Sequence, residues 1–129
     1  MYTIIATIKT EHLNNIRRGR KTIELRKSVP QRGFPFRVLL CESGSGGKIK
    51  AEFVCESCLV VGNPNDDLST KTCLHPMRIR GYIGNGCGYG WQITNMIDYC
   101  STPGYRVRNI SEYGLKRSPQ SWQYVKEDD

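Results

Sequence analysis

The sequence predicts an α+β fold, a small mixed and mostly antiparallel β-barrel with short helices at its rim. Three observations predict it. Short segments alternate between apolar and polar residues as strands do, helical periodicity is confined to brief stretches, and the loops between strands are compatible with hairpins. The chain has 129 residues, 38% hydrophobic and 24% charged, which indicates one globular domain over residues 1–129.

The N-terminal region predicts a strand and then a short helix. Residues 2–8 read as the strand, since they are rich in β-branched residues. Thr10 is the predicted N-cap of a helix over residues 11–18, and Gly19 is its predicted C′ residue. Two arginines in the last helical turn complement the helix dipole.

Residues 20–27 form the next predicted strand, which we call the basic strand. Its apolar face carries Ile23 and Leu25. Its other face is polar and carries Thr22, Glu24 and Arg26. A row of polar side chains on one strand face, ending in the two cations Arg26 and Lys27, is suited to contact with a polyanion.

The middle of the chain predicts an antiparallel hairpin. Residues 37–41 are almost continuously apolar, which indicates a buried strand, and residues 43–47 form a glycine-rich turn. This turn lacks the following helix and the Lys-Ser/Thr pair of a phosphate-binding loop. Residues 48–61 alternate as one strand, with Ile49, Ala51, Phe53 and Cys55 facing inward and Lys48, Lys50, Glu52 and Glu56 facing outward.

The second half of the chain holds weaker signals. Residues 68–83 have helix-like patches interrupted by Pro76, and residues 84–90 are too rich in glycine for regular structure. Residues 91–99 alternate as a strand with Trp91, Ile93, Ile97 and Tyr99 on one face. A single turn of helix is expected within 105–113 and a last strand at 122–125. The predicted core comprises Ile4, Ile8, Ile23, Leu25, Val38, Leu40, Ile49, Phe53 and Ile93.

The positive charge of the chain is concentrated in one segment. Between Arg17 and Arg37 there are eight basic residues and one acid, Glu24, so this segment accounts for the whole net charge of +7. Clustered basic charge is the electrostatic footprint of a phosphate-binding surface, usually for nucleic acid. The alternative is a solvated face that only keeps the protein soluble.

The remaining features bear on location and metals. No signal peptide or membrane-spanning stretch is evident, which predicts a cytoplasmic protein whose six cysteines are thiols. Cys55 and Cys58 form a C-x-x-C pair, but positions three apart on a strand face opposite sides, so we expect no zinc site. No cofactor is indicated, and the oligomeric state is left open.

Several of these segments together resemble one family. Two segments resemble the ASCH domain family of the PUA-like superfamily: the run Gly19-Arg20-Lys21-Thr22-Ile23-Glu24-Leu25-Arg26-Lys27 and the strand at 48–53. Residues 90–93 (Gly-Trp-Gln-Ile) and 119–125 (Pro-Gln-Ser-Trp-Gln-Tyr-Val) are similar to a subgroup common in phage and prophage genomes. The resemblance extends over residues 4–125 and implies a PUA-like barrel with a cleft between barrel and helix.

The resemblance also implies a function. The family includes RNA binders, single-stranded RNA nucleases and amidohydrolases acting on N4-acetylcytidine, so RNA or a nucleotide is the expected partner. In the amidohydrolases this strand carries a Lys and, three residues later, a nucleophilic Thr. Lys21 matches the Lys, whereas Glu24 occupies the Thr position, which argues against that activity. A metal-independent RNA hydrolase using Lys21 and Glu24 is the alternative to binding alone.

The residues themselves point to the same strand. The guanidinium of an arginine can donate two hydrogen bonds to one phosphate, and desolvation can lower the pKa of a lysine amine until it acts as a general base. A carboxylate among cations can accept hydrogen bonds from a base or a ribose. A lattice of ion pairs on a solvated face is the alternative. We expect a bound anion beside the strand face of Thr22, Glu24 and Arg26, within reach of Lys21 and the backbone near Ser121. The full predicted binding set is Arg17, Arg20, Lys21, Thr22, Glu24, Arg26, Lys27 and Ser121.

Other side chains are weaker candidates. Trp91, Trp122, Tyr89 and Tyr124 could stack on bases, although burial in the core is the more ordinary role for aromatic residues. Gln120 could supply an amide contact near the cleft. The two histidines, His12 and His75, lie near no nucleophile motif.

Overall fold

The computed structural model describes residues 1–62, 66–84 and 86–126. The elements run in chain order as β1 Thr3–Ile8, α1 Thr10–Arg17, β2 Ile23–Arg26, β3 Phe36–Glu42, β4 Lys48–Cys55, β5 Cys58–Val61, α2 Asp66–Thr72, α3 Pro76–Ile83, β6 Gly88–Gln92, β7 Thr94–Asp98, β8 Arg108–Asn109, a 3₁₀ turn Ile110–Tyr113 and β9 Trp122–Tyr124. None of the helices in the described ranges is long and apolar enough to cross a membrane.

The strands form two sheets. The larger has the order β7-β4-β3-β1-β9, with β8 paired to one end of β4, and the smaller has the order β2-β6-β5. Every pairing is antiparallel except that of β1 with β3. The mixed α+β class is therefore confirmed. Neither sheet closes on itself among the described residues, so the expected closed barrel is not seen.

Three apolar clusters hold these layers together. The first lies between the larger sheet, α1 and the smaller sheet, with Ile4, Leu13, Val38, Phe53 and Trp91 at its centre. The second covers the opposite face of the larger sheet, around Ile5, Leu39, Ile49 and Tyr99. The third packs the smaller sheet on α2 and α3 through Ile23, Leu25, Val61, Leu68 and Ile79.

The predicted core is buried, with one partial exception. Eight of the nine predicted core residues are buried: Ile4, Ile8, Ile23, Leu25, Val38, Leu40, Ile49 and Phe53. The ninth, Ile93, is half-buried against the first cluster. Burial of Ile23 and Leu25 confirms the predicted apolar face of the basic strand. That strand is shorter than predicted, since only Ile23–Arg26 pairs with β6.

The helix α1 begins one residue earlier than predicted. Its N-cap is Lys9 without a side-chain cap, and Thr10 is the first helical residue, its hydroxyl hydrogen-bonded to Glu42 Oε2. Gly19 follows the C-cap with φ +75°, as predicted for a C′ glycine. The helix packs against the larger sheet, and the barrel mouth against which it was expected to lie is not seen among the described residues.

The predicted strand over 48–61 is in fact two strands in different sheets. The chain turns at Glu56 and Ser57, where Cys55 Sγ donates a hydrogen bond to the Ser57 carbonyl, and β5 then joins the smaller sheet. A register shift between Leu40 and Cys41 places Ile49 on the opposite face from Ala51, in the second cluster. Such bulges are not visible in a pattern of alternation.

Glu52 is buried although alternation predicted it to face outward. Its Oε1 accepts a hydrogen bond from Tyr99 Oη at 2.8 Å, and its Oε2 pairs with Arg37 Nε at 3.0 Å. The second apolar cluster covers this face of the sheet, so an outward position on β4 is still interior. The two polar partners compensate the buried carboxylate.

Residues 84–90 contain the start of a strand, contrary to the prediction. Gly88–Gln92 is the central strand of the smaller sheet. A Cβ at Gly90 would lie 2.9 Å from Ile23 Cγ2, so the missing side chain allows β2 to pack closely. The predicted strand over 91–99 breaks at Ile93, which places Trp91 and Tyr99 in different clusters. Asn85 lies outside the described residues.

The other late elements agree with the sequence. The patches at 68–83 are α2 and α3, and Pro76 starts the second helix. One 3₁₀ turn follows at Ile110–Tyr113, and β9 covers three of the four residues expected for the last strand.

Candidate functional site

A cleft of about 670 Å³ lies beside β2, between α1, α3 and the segment that precedes β9. Its volume is within the range of small-molecule sites, about 300–1,000 Å³. It is lined by Thr7, Ile8 and Lys9, by His12, by Lys21 and the run Glu24–Ser28, by Leu74, Arg78 and Tyr82, and by Gln120 and Ser121.

Lys21 lies at the floor of the cleft with its amine buried. Nζ donates a hydrogen bond to the Thr72 carbonyl at 2.6 Å and lies 3.8 Å from Glu24 Oε1. Burial lowers the Lys21 pKa, because removal from water penalises the charged amine, while the nearby Glu24 opposes this effect. The arrangement places a desolvated amine next to a carboxylate.

Glu24 occupies the centre of the site. Its side chain is 8% exposed and lies between two cations, with Oε1 facing Lys21 and Oε2 3.8 Å from Arg26 Nη2. These are ion-pair distances and are too long for hydrogen bonds. Within the described part of the chain, Oε2 is buried and has no hydrogen-bond partner.

Arg26 ties three segments together. Nη2 donates to the Thr7 carbonyl at 2.8 Å, and Nη1 lies 3.3 Å from both the carbonyl oxygen and the hydroxyl of Ser121. The guanidinium also lies 5.8 Å from the ring centre of Trp91. Arg26 thus holds the wall formed by β1 and the approach to β9 against β2.

The rim of the cleft is cationic and open to solvent. Lys9, Lys27 and Arg78 are exposed there. Lys27 Nζ lies 5.0 Å above the ring of Tyr82, and Arg78 Nη2 lies 3.5 Å from the exposed Glu11. Together with Lys21 and Arg26, five cations and one carboxylate line the cleft, which gives it a net positive potential.

His12 closes the floor from the side of α1. Burial lowers the pKa of its imidazole, and Lys21 lowers it further, so the neutral form is favoured. Its Nε2 lies 3.6 Å from Glu11 Oε1. Its Nδ1 is buried and, among the described residues, has no hydrogen-bond partner.

The structure brings five of the predicted site residues together in this cleft: Lys21, Glu24, Arg26, Lys27 and Ser121. The other three lie elsewhere. Arg17 pairs with Asp98 on β7 at 3.1 Å, and Arg20 is exposed beyond the end of α1. Thr22 precedes β2, is exposed and is held by backbone hydrogen bonds to Lys71 and Ile93. The alternation predicted for Thr22 with Glu24 fails because regular strand structure starts only at Ile23.

The predicted basic segment does not form a single surface. Arg37 pairs with Glu52, and Arg32 lies over the rings of Tyr2 and Tyr124. The cations that complete the cleft, Lys9 and Arg78, come from outside that segment. Charge clustering in the sequence therefore located the strand of the cleft and Lys27 at its rim, but not the other two rim cations.

Sequence reasoning missed the helical side of the cleft. Arg78 and Tyr82 are spaced i, i+4, which places them on one face of α3. His12 stands next to the buried Leu13 and carries no motif that would distinguish it. Gln120, named as a possible contact, does line the cleft.

The four aromatic candidates are not part of the cleft lining. Trp91 is fully buried, and Trp122 and Tyr124 are half-buried and pack edge to face at 5.3 Å. Tyr89 is half-buried beside the first cluster. The aromatic ring that lines the cleft is that of Tyr82.

A metal centre is not apparent in the part of the chain that the structure describes, where no three or more His, Cys, Asp or Glu side chains converge to hold an ion. All six cysteines lie in that part and are unpaired. Cys55 is buried in the first cluster, and burial raises the pKa of its thiol to about 12.

The fold is similar to that of an ASCH protein from Zymomonas mobilis. Three crystal structures of that protein, two of them of point mutants, match with TM-scores of 0.77, 0.78 and 0.79. Each match covers 98% of this chain and 89% to 92% of the other, at 14% to 16% sequence identity. No protein-family model and no curated protein matches the chain. The likeness shows that the chain has the fold seen in that ASCH protein.

Proposed function

We propose that this protein is an ASCH-type domain that binds RNA or a nucleotide in the cleft beside β2. One observation carries the proposal: a buried carboxylate with an unused acceptor atom lies between two buried cations, inside a cleft whose rim carries three exposed cations. The inner groups suit the polar edge of a base or sugar, and the rim suits phosphate.

The fold and the sequence support the same ligand class. The segment 19–27, which carries the resemblance to ASCH domains, contributes Lys21, Glu24 and Arg26 to the floor. We expect a phosphate at the rim, close to Lys27 and Arg78 and near the Ser121 backbone. This expectation moves the predicted anion away from Thr22, which lies outside the cleft.

Replacing the rim cations tests the proposal. In the double variant Lys27→Ala/Arg78→Ala we expect affinity for fluorescein-labelled single-stranded RNA to fall. The slope of log affinity against log salt should decrease by about 0.7 for each RNA phosphate that the variant no longer neutralises. Fluorescence anisotropy at several salt concentrations measures both quantities. Arg26 is unsuitable here, because it holds three segments of the fold.

A matched control removes the same charge from two residues that do not line the cleft. Lys116 and Arg117 are exposed and do not line the cleft, so Lys116→Ala/Arg117→Ala should leave the slope near that of the unmodified protein. An equal fall in affinity in the two double variants would mean that net charge alone attracts RNA. Absence of binding at low salt in the unmodified protein would refute the proposal.

A second candidate function is metal-independent hydrolysis of RNA. It is favoured by the buried amine of Lys21, whose pKa is lowered and which lies 3.8 Å from a carboxylate. Incubation with labelled RNA and with N4-acetylcytidine in the presence of EDTA tests it. We expect no cleavage of the acylated cytidine, because Glu24 stands where the amidohydrolases carry Thr. RNA cleavage that persists in EDTA and is abolished in Lys21→Met would establish the second function.

A further inference from the structure

Two buried hydrogen-bond acceptors at the cleft floor have no partner among the described residues. They are Glu24 Oε2 and His12 Nδ1, and both residues line the same cleft. Buried polar atoms in folded proteins are nearly always hydrogen-bonded, so an unsatisfied one needs a reason. Two such atoms from different elements, β2 and α1, in one cleft indicate that a ligand supplies the missing donors.

Glu24 can only accept, since an ionised carboxylate carries no proton to donate. The surrounding cations do not satisfy it. Lys21 Nζ donates a hydrogen bond to the Thr72 carbonyl and lies 3.8 Å from Glu24 Oε1. Arg26 donates hydrogen bonds to Thr7 and Ser121 and lies 3.8 Å from Glu24 Oε2. Their charges balance the carboxylate but leave the hydrogen-bonding capacity of Oε2 unused.

His12, on α1, offers a second acceptor. Its Nε2 faces Glu11 Oε1 at 3.6 Å, which is the side that suits the ring proton. In this neutral tautomer Nδ1 carries a lone pair. Glu24 and Lys21 both influence the protonation of His12, which shows that the three side chains share one electrostatic environment.

We propose that this pair of acceptors makes the cleft selective for a base edge that carries an exocyclic amino group, and that it excludes the matching edge with a carbonyl. This inference rests on the nucleotide-binding function proposed above. An amino group has two N–H donors, one for Glu24 Oε2 and one for His12 Nδ1. A carbonyl oxygen at that position would place lone pairs against a carboxylate. The ring N–H beside such a carbonyl could serve one acceptor at most, so at least one acceptor would stay buried and unpaired.

Two pairs of nucleotides test this feature. CMP and AMP carry an amino group beside an unprotonated ring nitrogen, where UMP and IMP carry a carbonyl beside a ring N–H, and the sugar and phosphate are unchanged within each pair. Isothermal titration calorimetry on the full chain should show about tenfold or tighter binding of CMP over UMP and of AMP over IMP, the range expected when buried polar groups lose their partners. In Glu24→Gln the amide can also donate, so the preference within each pair should fall to about twofold or less.

Control variants make the result specific. Glu56→Gln removes an exposed carboxylate that does not line the cleft, and it should keep the full preference. His12→Phe keeps the bulk of the ring without an acceptor and should reduce the preference in part. Circular dichroism establishes that each variant is folded, and the preference in the unmodified protein tests the inference even where a variant does not fold.

The outcomes separate this inference from the proposed function. Equal affinity for the two members of each pair would overturn the selectivity and leave nucleotide binding intact. A preference that survives in folded Glu24→Gln would also overturn it. If no mononucleotide binds while labelled RNA does, the acceptor pair does not read a base and the inference is wrong. If RNA does not bind either, the proposed function fails with it.

Discussion

Truncation of Trp91 to alanine is expected to cost about 3–5 kcal/mol of folding free energy, as for other buried aromatic side chains. Trp91 is fully buried on β6, packs edge to face on Phe36 at 5.5 Å and donates its indole N–H to the Ser28 carbonyl at 3.2 Å. It therefore joins the smaller sheet to the main core and fixes the chain just after β2. Because domains of this size have only about 5–15 kcal/mol of stability, the variant should be close to unfolding.

Urea unfolding followed by far-ultraviolet circular dichroism measures this loss for Trp91→Ala. The control is Trp122→Ala, since Trp122 is half-buried and its indole N–H reaches only the Ser28 hydroxyl. We expect a clearly smaller loss of stability for the control. Similar destabilisation at the two positions would show that Trp91 has no special place between the sheets.

The second large effect is expected at Arg26. Replacing it with methionine removes the hydrogen bonds to Thr7 and Ser121 and leaves Glu24 with Lys21 as its remaining ion-pair partner. Breaking a buried ion pair on one side costs about 3–5 kcal/mol, because the other charge stays buried. We expect Arg26→Met to lose stability in this range, and Arg26→Lys to recover only part of it because an ammonium cannot span both walls.

A double-mutant cycle identifies the source of that loss. If the uncompensated carboxylate of Glu24 is responsible, Glu24→Gln in the Arg26→Met background should restore part of the stability, with a coupling of about 0.5–3 kcal/mol. The measurement is again urea unfolding of the two single variants and the double variant. Strict additivity would mean that Arg26 acts through Thr7 and Ser121 alone.

The parts of the fold that follow from local patterning were predictable. The apolar run at 37–41 is the buried strand β3, and Ile23 and Leu25 face the core as their spacing indicates. These strand features depend on the local pattern of apolar residues. The end of α1 was predictable in the same way, from the C′ residue Gly19, and both signals act over a few residues.

The differences arise where tertiary packing decides the structure. The turn after Cys55 and the break at Ile93 send continuous-looking strands into different sheets, and neither break has a Gly or Pro signal. The glycines of residues 84–90 led to the wrong prediction that Gly90 lies in irregular structure. Gly90 lies in a strand, where the missing side chain allows close packing on Ile23. Glu52 is interior because a second apolar layer covers its face of the sheet.

The candidate site was predictable on its strand side and at Gln120 and Ser121, but not on its helical side. Lys21, Glu24 and Arg26 form a compact set in the sequence, and charge together with alternation singles them out. Their burial was not predictable, because it depends on α2 and on the segments that carry Thr7 and Ser121 packing around the same strand. Of the helical residues that line the cleft, Arg78 and Tyr82 are distant in sequence from the strand, and His12 is near it but carries no motif that marks it.

The location of bound RNA is the most direct test of the account. The measurement is a titration of ¹⁵N-labelled protein with a short single-stranded RNA at low salt, followed by amide chemical shifts. We predict that the largest shifts fall around the cleft, at Lys9, His12, Lys27, Arg78, Tyr82 and Ser121. Shifts confined to the residues around Arg106, Arg108, Lys116 and Arg117 would contradict the account, and so would the absence of any shift.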